Sequence, residues 1–166
     1  ALTLLKSAGL RPVCLLAGTG MEHSNTALAK RIAHLGLSNQ VQLLGRRGDI
    51  PRVMNALDVH VMSSVSEAFP NVLAEAMACG TPCISTDVGD AAAIICDTGW
   101  IVPTRDPQAM ADAIGKALEE LNGPGWATRR DGARRRIESR FSIGQMVENY
   151  RAVWFGQLES GLGTGG

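Results

Sequence analysis

The sequence predicts an α/β domain built on a doubly wound parallel sheet, and three observations carry that prediction. Short apolar runs alternate with helical segments along most of the chain, two of the runs end at glycine, and proline or a short polar residue repeatedly stands where a helix should begin. At 166 residues the chain suits one domain with a sizeable core, and a second domain would not fit.

Taken in order, residues 2–8 read as a helix. Val13-Cys14-Leu15-Leu16-Ala17 is a compact apolar run closed by Gly18 and Gly20, the mark of a buried parallel strand that leads into a loop. A helix over 22–35 and a strand over 41–44 follow, and Asp49 caps a short helix whose first residue is Ile50 or Pro51. Residues 58–62 alternate as a strand, and 63–69 form a loop. Pro70 then opens a helix as its first residue, because its missing amide would have no intrahelical partner there and its fixed φ already suits a helix. Residues 82–85 give a further strand, 91–95 a short helical piece and 100–102 a last strand. Asp106 and Pro107 cap and start a helix to about residue 121, which Gly123-Pro124-Gly125 stops. Residues 126–139 are helical, and Ser142 with Gln145 has capping-box spacing for a final helix to about residue 154. The domain spans 1–156, and 157–166 form a flexible Gly-rich tail.

Composition excludes several function classes. The 16 basic and 16 acidic residues cancel, so global charge gives no case for nucleic acid. No apolar stretch approaches the roughly 20 residues that cross a bilayer. The first residue is Ala, already inside a predicted helix and without a signal pattern, so the expectation is a piece of a longer cytoplasmic protein. Cys14, Cys79, Cys83 and Cys96 lack paired C-x-x-C spacing and are expected as buried free thiols, with no metal site. His34 and His60 are expected in solvent-facing or satisfied core roles, which leaves His23, after the glycine turn, as the one histidine kept as a site candidate.

The chemistry concentrates in SEAFPNVLAEAMACGTPCIST, residues 66–86. Val72, Leu73, Ala76 and Met77 recur at helical spacing and form a core face, while Asn71 and Glu75, four apart, share another face. Glu67 precedes the first turn, where unpaired amides and the positive end of the helix dipole favour an anion such as phosphate. Taken alone, Glu67 and Glu75 also fit a solvated pair around an ordinary helix start. Gly18, Thr19 and Gly20 belong at the carboxyl end of a strand, where a missing Cβ permits either close approach to a ligand or simply a tight turn. Arg46 and Arg47 follow Gly45 at another strand end, as ligand contacts or as solvated loop arginines. His23 replaces the third glycine of a dinucleotide fingerprint, and no phosphate-loop motif is present, so NAD-dependent and kinase readings fall away. Six arginines between Arg129 and Arg140, against Asp131 and Glu138, spread around more than one helix face. A solvated face and an interdomain or membrane-surface contact are the alternatives there.

The spacing of Glu67 and Glu75 resembles the E-x7-E motif of retaining glycosyltransferases with the GT-B fold, in particular glycosyltransferase family 4. Its surroundings agree in order: Ala17-Gly18-Thr19-Gly20, Leu35-Gly36-Leu37, Val41-Gln42-Leu43-Leu44-Gly45, Asp49-Ile50-Pro51, Leu57-Asp58-Val59, Asp87-Val88-Gly89 and Thr98-Gly99-Trp100-Ile101-Val102 resemble successive signposts of that family's C-terminal, donor-binding domain. The resemblance covers roughly residues 1–150 and implies a Rossmann-like sheet.

It implies a donor site for a nucleoside-diphosphate sugar, used as substrate, with no cofactor and no metal. Glu67, the expected catalytic residue, would contact hydroxyls of the donor sugar, and Glu75 would accept from the ribose hydroxyls. The amides around Asn71 and Val72 would take the diphosphate, Gly18 and Gly20 would approach the ligand, and Arg46 or Arg47 would cover the base; Phe69 and Pro70, at the sugar pocket, depart from the smaller or Gly-containing loop of many relatives. The family's opening strand, Gly-Arg loop and following Lys are not seen in this sequence, so the first strand of the order 3-2-1-4-5-6 is missing from the middle of the sheet. A rearranged centre, or strand exchange with another copy across an open edge, is expected in its place. The expected whole is a bacterial, cytoplasmic hexosyltransferase of polysaccharide biosynthesis, at the inner face of the membrane in the peripheral-contact alternative. Its partners are the sugar donor, an N-terminal acceptor domain of the same longer chain, and a glycan or lipid-linked acceptor; the present chain alone would be inactive. The competing readings are another GT-B enzyme, an epimerase or phosphorylase, and a non-catalytic nucleotide-sugar binding module.

Overall fold

The computed structural model describes residues 1–161, with 156–161 described by backbone alone. Strands and helices alternate in the predicted order: α1 (Leu2–Ser7), β1 (Cys14–Ala17), α2 (Thr26–His34), β2 (Val41–Gly45), α3 (Ile50–Asn55), β3 (His60–Met62), α4 (Asn71–Ala78), β4 (Cys83–Thr86), α5 (Ala91–Ile95), a single 3-10 turn (Cys96–Thr98), β5 (Trp100–Val102), α6 (Pro107–Glu120), α7 (Trp126–Arg140) and α8 (Ile143–Gly161).

Every strand pairing is parallel, but the strands divide into two sheets. β1 pairs with β2, and β3, β4 and β5 lie in that order. These are the pairings that the order 3-2-1-4-5-6 leaves when its first strand is removed. The division therefore falls where the missing strand was expected. Among the described residues no strand pairs with the second edge of β1 or of β3.

The core is built around the larger sheet. Successive side chains of a strand point to opposite faces, so Cys83 joins a cluster with Leu73, Met77, Ile94, Ile95 and Ile137 from α4, α5 and α7. Its neighbour Ile84 joins Leu5, Val102, Met110 and Ile114 on the other face, under α1 and α6. β4 is buried at every position, as the central strand of a sheet covered on both faces should be. Each fully buried aliphatic side chain there contributes about 1.5–3 kcal/mol. The smaller sheet is more thinly covered: α2 buries no residue completely, and Leu43 is the fully buried apolar side chain of its strands.

Several boundaries differ from expectation for visible reasons. α2 starts at Thr26 because Asn25 caps it, accepting from Leu28 N at 3.1 Å while donating to Gly20 O at 2.8 Å. Pro70 is the residue before α4 rather than its first residue: its ψ of 84° is non-helical, and its carbonyl accepts from Leu73 N at 3.0 Å. Asp49 stands at the head of α3 without capping it, since its carboxylate is held by Arg47 through bonds of 2.8 and 2.7 Å. Asp106 caps α6 as read, accepting from Gln108 N and Ala109 N at 3.0 and 2.9 Å. Ser142 makes half a capping box, accepting from Gln145 N at 3.2 Å, while the Gln145 side chain turns forward to Asn149. α8 runs past residue 154 to Gly161, into the segment expected as a flexible tail; residues 162–166 lie outside the described residues.

Two side-chain expectations are corrected. Cys83 is buried and its thiol pKa is pushed up by that burial, but Cys96 is exposed, because it ends α5 in a left-handed turn at φ 51°. His60 is not a satisfied core histidine. Its Nε2 is buried without a hydrogen-bond partner, and burial lowers its pKa to about 4.

Candidate functional site

The sequence-singled residues cluster on loops at the carboxyl ends of the strands, where an open parallel sheet presents ligands. Two groups form. The loops after β1 and β2 are knitted together by Gly18 N to Gly45 O at 2.8 Å and Gly45 N to Met21 O at 2.9 Å, so Gly18 and Gly20 stand beside Arg46 and Arg47. The glycines serve the turn itself: φ is 137° at Gly18 and 83° at Gly20, the left-handed side that other residues rarely adopt. Arg47 is engaged by Asp49, which holds its guanidinium pKa up. Arg46 is exposed and makes no side-chain hydrogen bond among the described residues, and His23 is exposed on the glycine loop.

The second group surrounds the start of α4. Val72, Leu73, Ala76 and Met77 turn into the protein, which leaves Asn71 and Glu75 together on an exposed face. Asn71 N donates to Phe69 O at 2.9 Å, so that amide is occupied. The Val72 amide has no partner among the described residues, and no side chain caps the helix. An uncapped amide at the positive end of a helix dipole is an electrostatic seat for an anion. The Glu75 carboxylate makes no hydrogen bond or ion pair among the described residues. Glu67 is exposed on the preceding loop, with one side-chain partner, the Ser64 hydroxyl at 2.8 Å. Phe69 packs its ring against Phe141, centroids 6.1 Å apart, and Pro70 is buried beneath the turn.

The loop that carries Glu67 is tied to β4 and the turn after it. Thr86 Oγ1 donates to Ser64 O at 2.6 Å, and Asp90 N donates to Ala68 O at 3.0 Å. Ser64, Thr86 and Phe141 were not singled out from sequence. Ser64 left a usable signal, a hydroxyl residue three positions before a glutamate; Thr86 and Phe141 left none, since their partners are distant in the chain. No hydrogen bond or ion pair among the described residues joins the glycine–arginine group to the α4 group.

Two grooves lie elsewhere. A groove of ≈ 690 Å³ runs along α7 past Asp97, Thr98, Arg135 and Arg140, and another of ≈ 430 Å³ lies between α3 and Cys79. Neither is lined by Glu67 or Glu75, both of which are exposed. Three of the six arginines of α7 are engaged by other groups among the described residues. Arg129 pairs with Glu120 and lies 4.5 Å from the Trp100 ring, Arg134 pairs with Glu138, and Arg136 donates to the Ile94 and Ala93 carbonyls. No three His, Cys, Asp or Glu side chains converge among the described residues.

Comparison with known proteins gives the family and the fold. The sequence model of the family described as glycosyl transferases group 1 matches residues 1–120. The chain is 30% identical over 148 residues to the N-acetyl-alpha-D-glucosaminyl L-malate synthase of Bacillus anthracis, covering 87% of this chain and 37% of that protein. It is 32% identical over 152 residues to the D-inositol 3-phosphate glycosyltransferase of Mycobacteroides abscessus, covering 82% of this chain and 33% of that one. The chain thus spans about a third of the length of these curated relatives. Among solved structures, a glycosyltransferase from Rickettsia africae superposes with a TM-score of 0.82 at 25% identity, over 94% of this chain and 42% of that one. Anabaena Alr3699/HepE in complex with UDP superposes with a TM-score of 0.76 at 27% identity, over 87% and 41%.

Proposed function

The chain belongs to the glycosyl transferases group 1 family, and on that premise we propose that it is the donor-binding part of a larger retaining glycosyltransferase. The donor is a nucleoside-diphosphate sugar, and the acceptor a glycan or a lipid-linked molecule held by the remainder of the protein. One observation carries the reading: Glu67 and Glu75 flank the uncapped start of α4 at the carboxyl end of β3, with the Val72 amide free between them.

Transfer breaks the bond between the anomeric carbon and the diphosphate, so negative charge grows on the leaving phosphate. A free amide and the helix dipole stabilise charge at that place without reorganising. Glu75 accepts hydrogen bonds from the ribose hydroxyls, and Glu67 from hydroxyls of the transferred sugar; carboxylates, as pure acceptors, suit two diol-bearing rings. Arg46 is free to lie over the base, whereas Arg47 reaches it only by giving up Asp49. The diphosphate also needs cations, and these belong to the rest of the protein, as does the acceptor. The exposed apolar stripe of α8, Ile143, Met146, Val147, Tyr150 and Trp154, is a surface for that remainder.

Calorimetry on the longer protein with UDP, GDP and ADP tests the reading. Glu75→Ala should weaken the preferred nucleotide about tenfold or more, since hydrogen bonds to a charged group are worth about 1.5–3 kcal/mol. Absence of binding by all three, or an affinity unmoved by Glu75→Ala, contradicts it. Free or epimerised sugar released from donor alone would instead support an epimerase, and a sugar phosphate formed only when inorganic phosphate is added would support a phosphorylase.

A further inference from the structure

Glu67 sits on a loop whose backbone is pinned on both sides, yet its own side chain is long, exposed and held by one contact. Ser64 Oγ donates to Glu67 Oε1 at 2.8 Å. The carbonyl of the same serine accepts from Thr86 Oγ1 at 2.6 Å, and Thr86 is a buried residue at the end of β4. On the far side of Glu67, Asp90 N donates to Ala68 O, and a Cβ added at Gly89 would collide with the Glu67 and Ala68 carbonyls, so only glycine lets the two segments lie this close. A path therefore runs from the rigid sheet, through Thr86 and the Ser64 backbone, to one oxygen of the Glu67 carboxylate. Ser63 and Ser66, the neighbouring serines, donate to nothing among the described residues.

We propose that Ser64 is a positioning residue that fixes the Glu67 carboxylate, occupying Oε1 so that Oε2 is the oxygen presented to a hydroxyl of the donor sugar. The inference rests on the donor-site reading above. A glutamate with three free side-chain torsions would spread its charge over many positions, and each torsion fixed in advance lowers the entropy lost when the sugar binds. Ser64 has a single hydrogen to give, and it gives it to Oε1. A sugar hydroxyl that reaches Oε2 then meets an acceptor already oriented, and a donor lacking that hydroxyl forgoes that oriented contact. Because Ser64 faces the sugar-reading carboxylate and not Glu75, its effect belongs to the sugar half of the donor and not to the nucleotide.

The test uses the longer protein with UDP, GDP and ADP and the glucose conjugate of each, for wild type, Ser64→Ala, Ser64→Thr, Glu67→Ala and the Ser64→Ala/Glu67→Ala pair. For the nucleotide that wild type prefers, Ser64→Ala should leave diphosphate affinity within twofold. It should lower kcat/KM for the sugar conjugate about tenfold, and Ser64→Thr, which keeps the hydroxyl, should restore most of it. In the Glu67→Ala background the Ser64→Ala loss should vanish, the signature of one residue acting through another. An unchanged kcat/KM in Ser64→Ala, an equal loss of diphosphate affinity, or additive losses in the double variant each overturn the proposal. Wild type that binds none of the diphosphates or conjugates overturns the donor-site reading itself, and this inference with it.

Discussion

At Gly89 the backbone turns at φ 50°, and a Cβ there would lie 2.1 Å from Ala68 O and 2.6 Å from Glu67 O. Backbone cannot give way as a flexible side chain can, so Gly89→Ala should destabilise the fold by about 2 kcal/mol or more, read as a lower urea midpoint, and should displace the Glu67 loop. His60 makes a second residue-level prediction. Its imidazole moves from an ordinary 6.5 to about 4 on folding because burial disfavours the charged form. Between those values the unfolded chain binds more protons, so this contribution is complete above pH 6.5 and is lost as pH falls toward 4, by up to ~3 kcal/mol. His60→Leu should flatten that part of the stability profile, and a decline of unchanged steepness would show that other groups carry it. Glu67, Glu75 and the glycine turn were legible as residues because short-range spacing marks them. The Ser64–Thr86 link and the Gly89 approach were not, because they depend on which loops the sheet brings together.

Helix ends show how local chemistry and packing divide the work. Asp106 caps α6 as its sequence promised, since the acceptor and its amides lie within one turn. Asp49 does not cap α3, because a guanidinium two residues away competes for the carboxylate and wins with a bidentate pair. α5 is closed from outside: Arg136, on α7, donates to the Ile94 and Ala93 carbonyls at its end, Ile94 at 2.7 Å. Arg136→Met should keep the aliphatic stem but leave those carbonyls without that donor, at a cost of about 2 kcal/mol, measurable by thermal or urea unfolding. The Arg134–Glu138 pair is exposed on both sides, so Arg134→Met should shift stability by less than about 0.5 kcal/mol. Of the arginine run that reads as one basic cluster in sequence, Arg129, Arg134 and Arg136 thus make separate contacts, while Arg130, Arg135 and Arg140 have no side-chain partner among the described residues.

For the whole molecule, the open edges of β1 and β3 have a physical consequence. Unpaired strand edges recruit other strands, and Val61 on β3 is 41% exposed although its strand is apolar. The chain by itself should therefore associate with rising concentration in sedimentation velocity, and Val61→Lys should suppress that association; a monomer at every concentration would show the edges to be protected. The alternation of strands and helices, the helix caps at Asp106 and Ser142 and the placing of Glu67 and Glu75 around a helix start were determined by the sequence alone, because each depends on side chains within a few residues of one another. The division of the strands into two sheets agreed with a topological rule applied to that alternation. Tertiary structure alone decided which loops meet, that Arg129 and Arg136 are engaged by Glu120 and by the end of α5, and that Thr86 and Asp90 hold the backbone of the Glu67 loop. Those outcomes depend on competition among groups far apart in the chain, which no local pattern encodes.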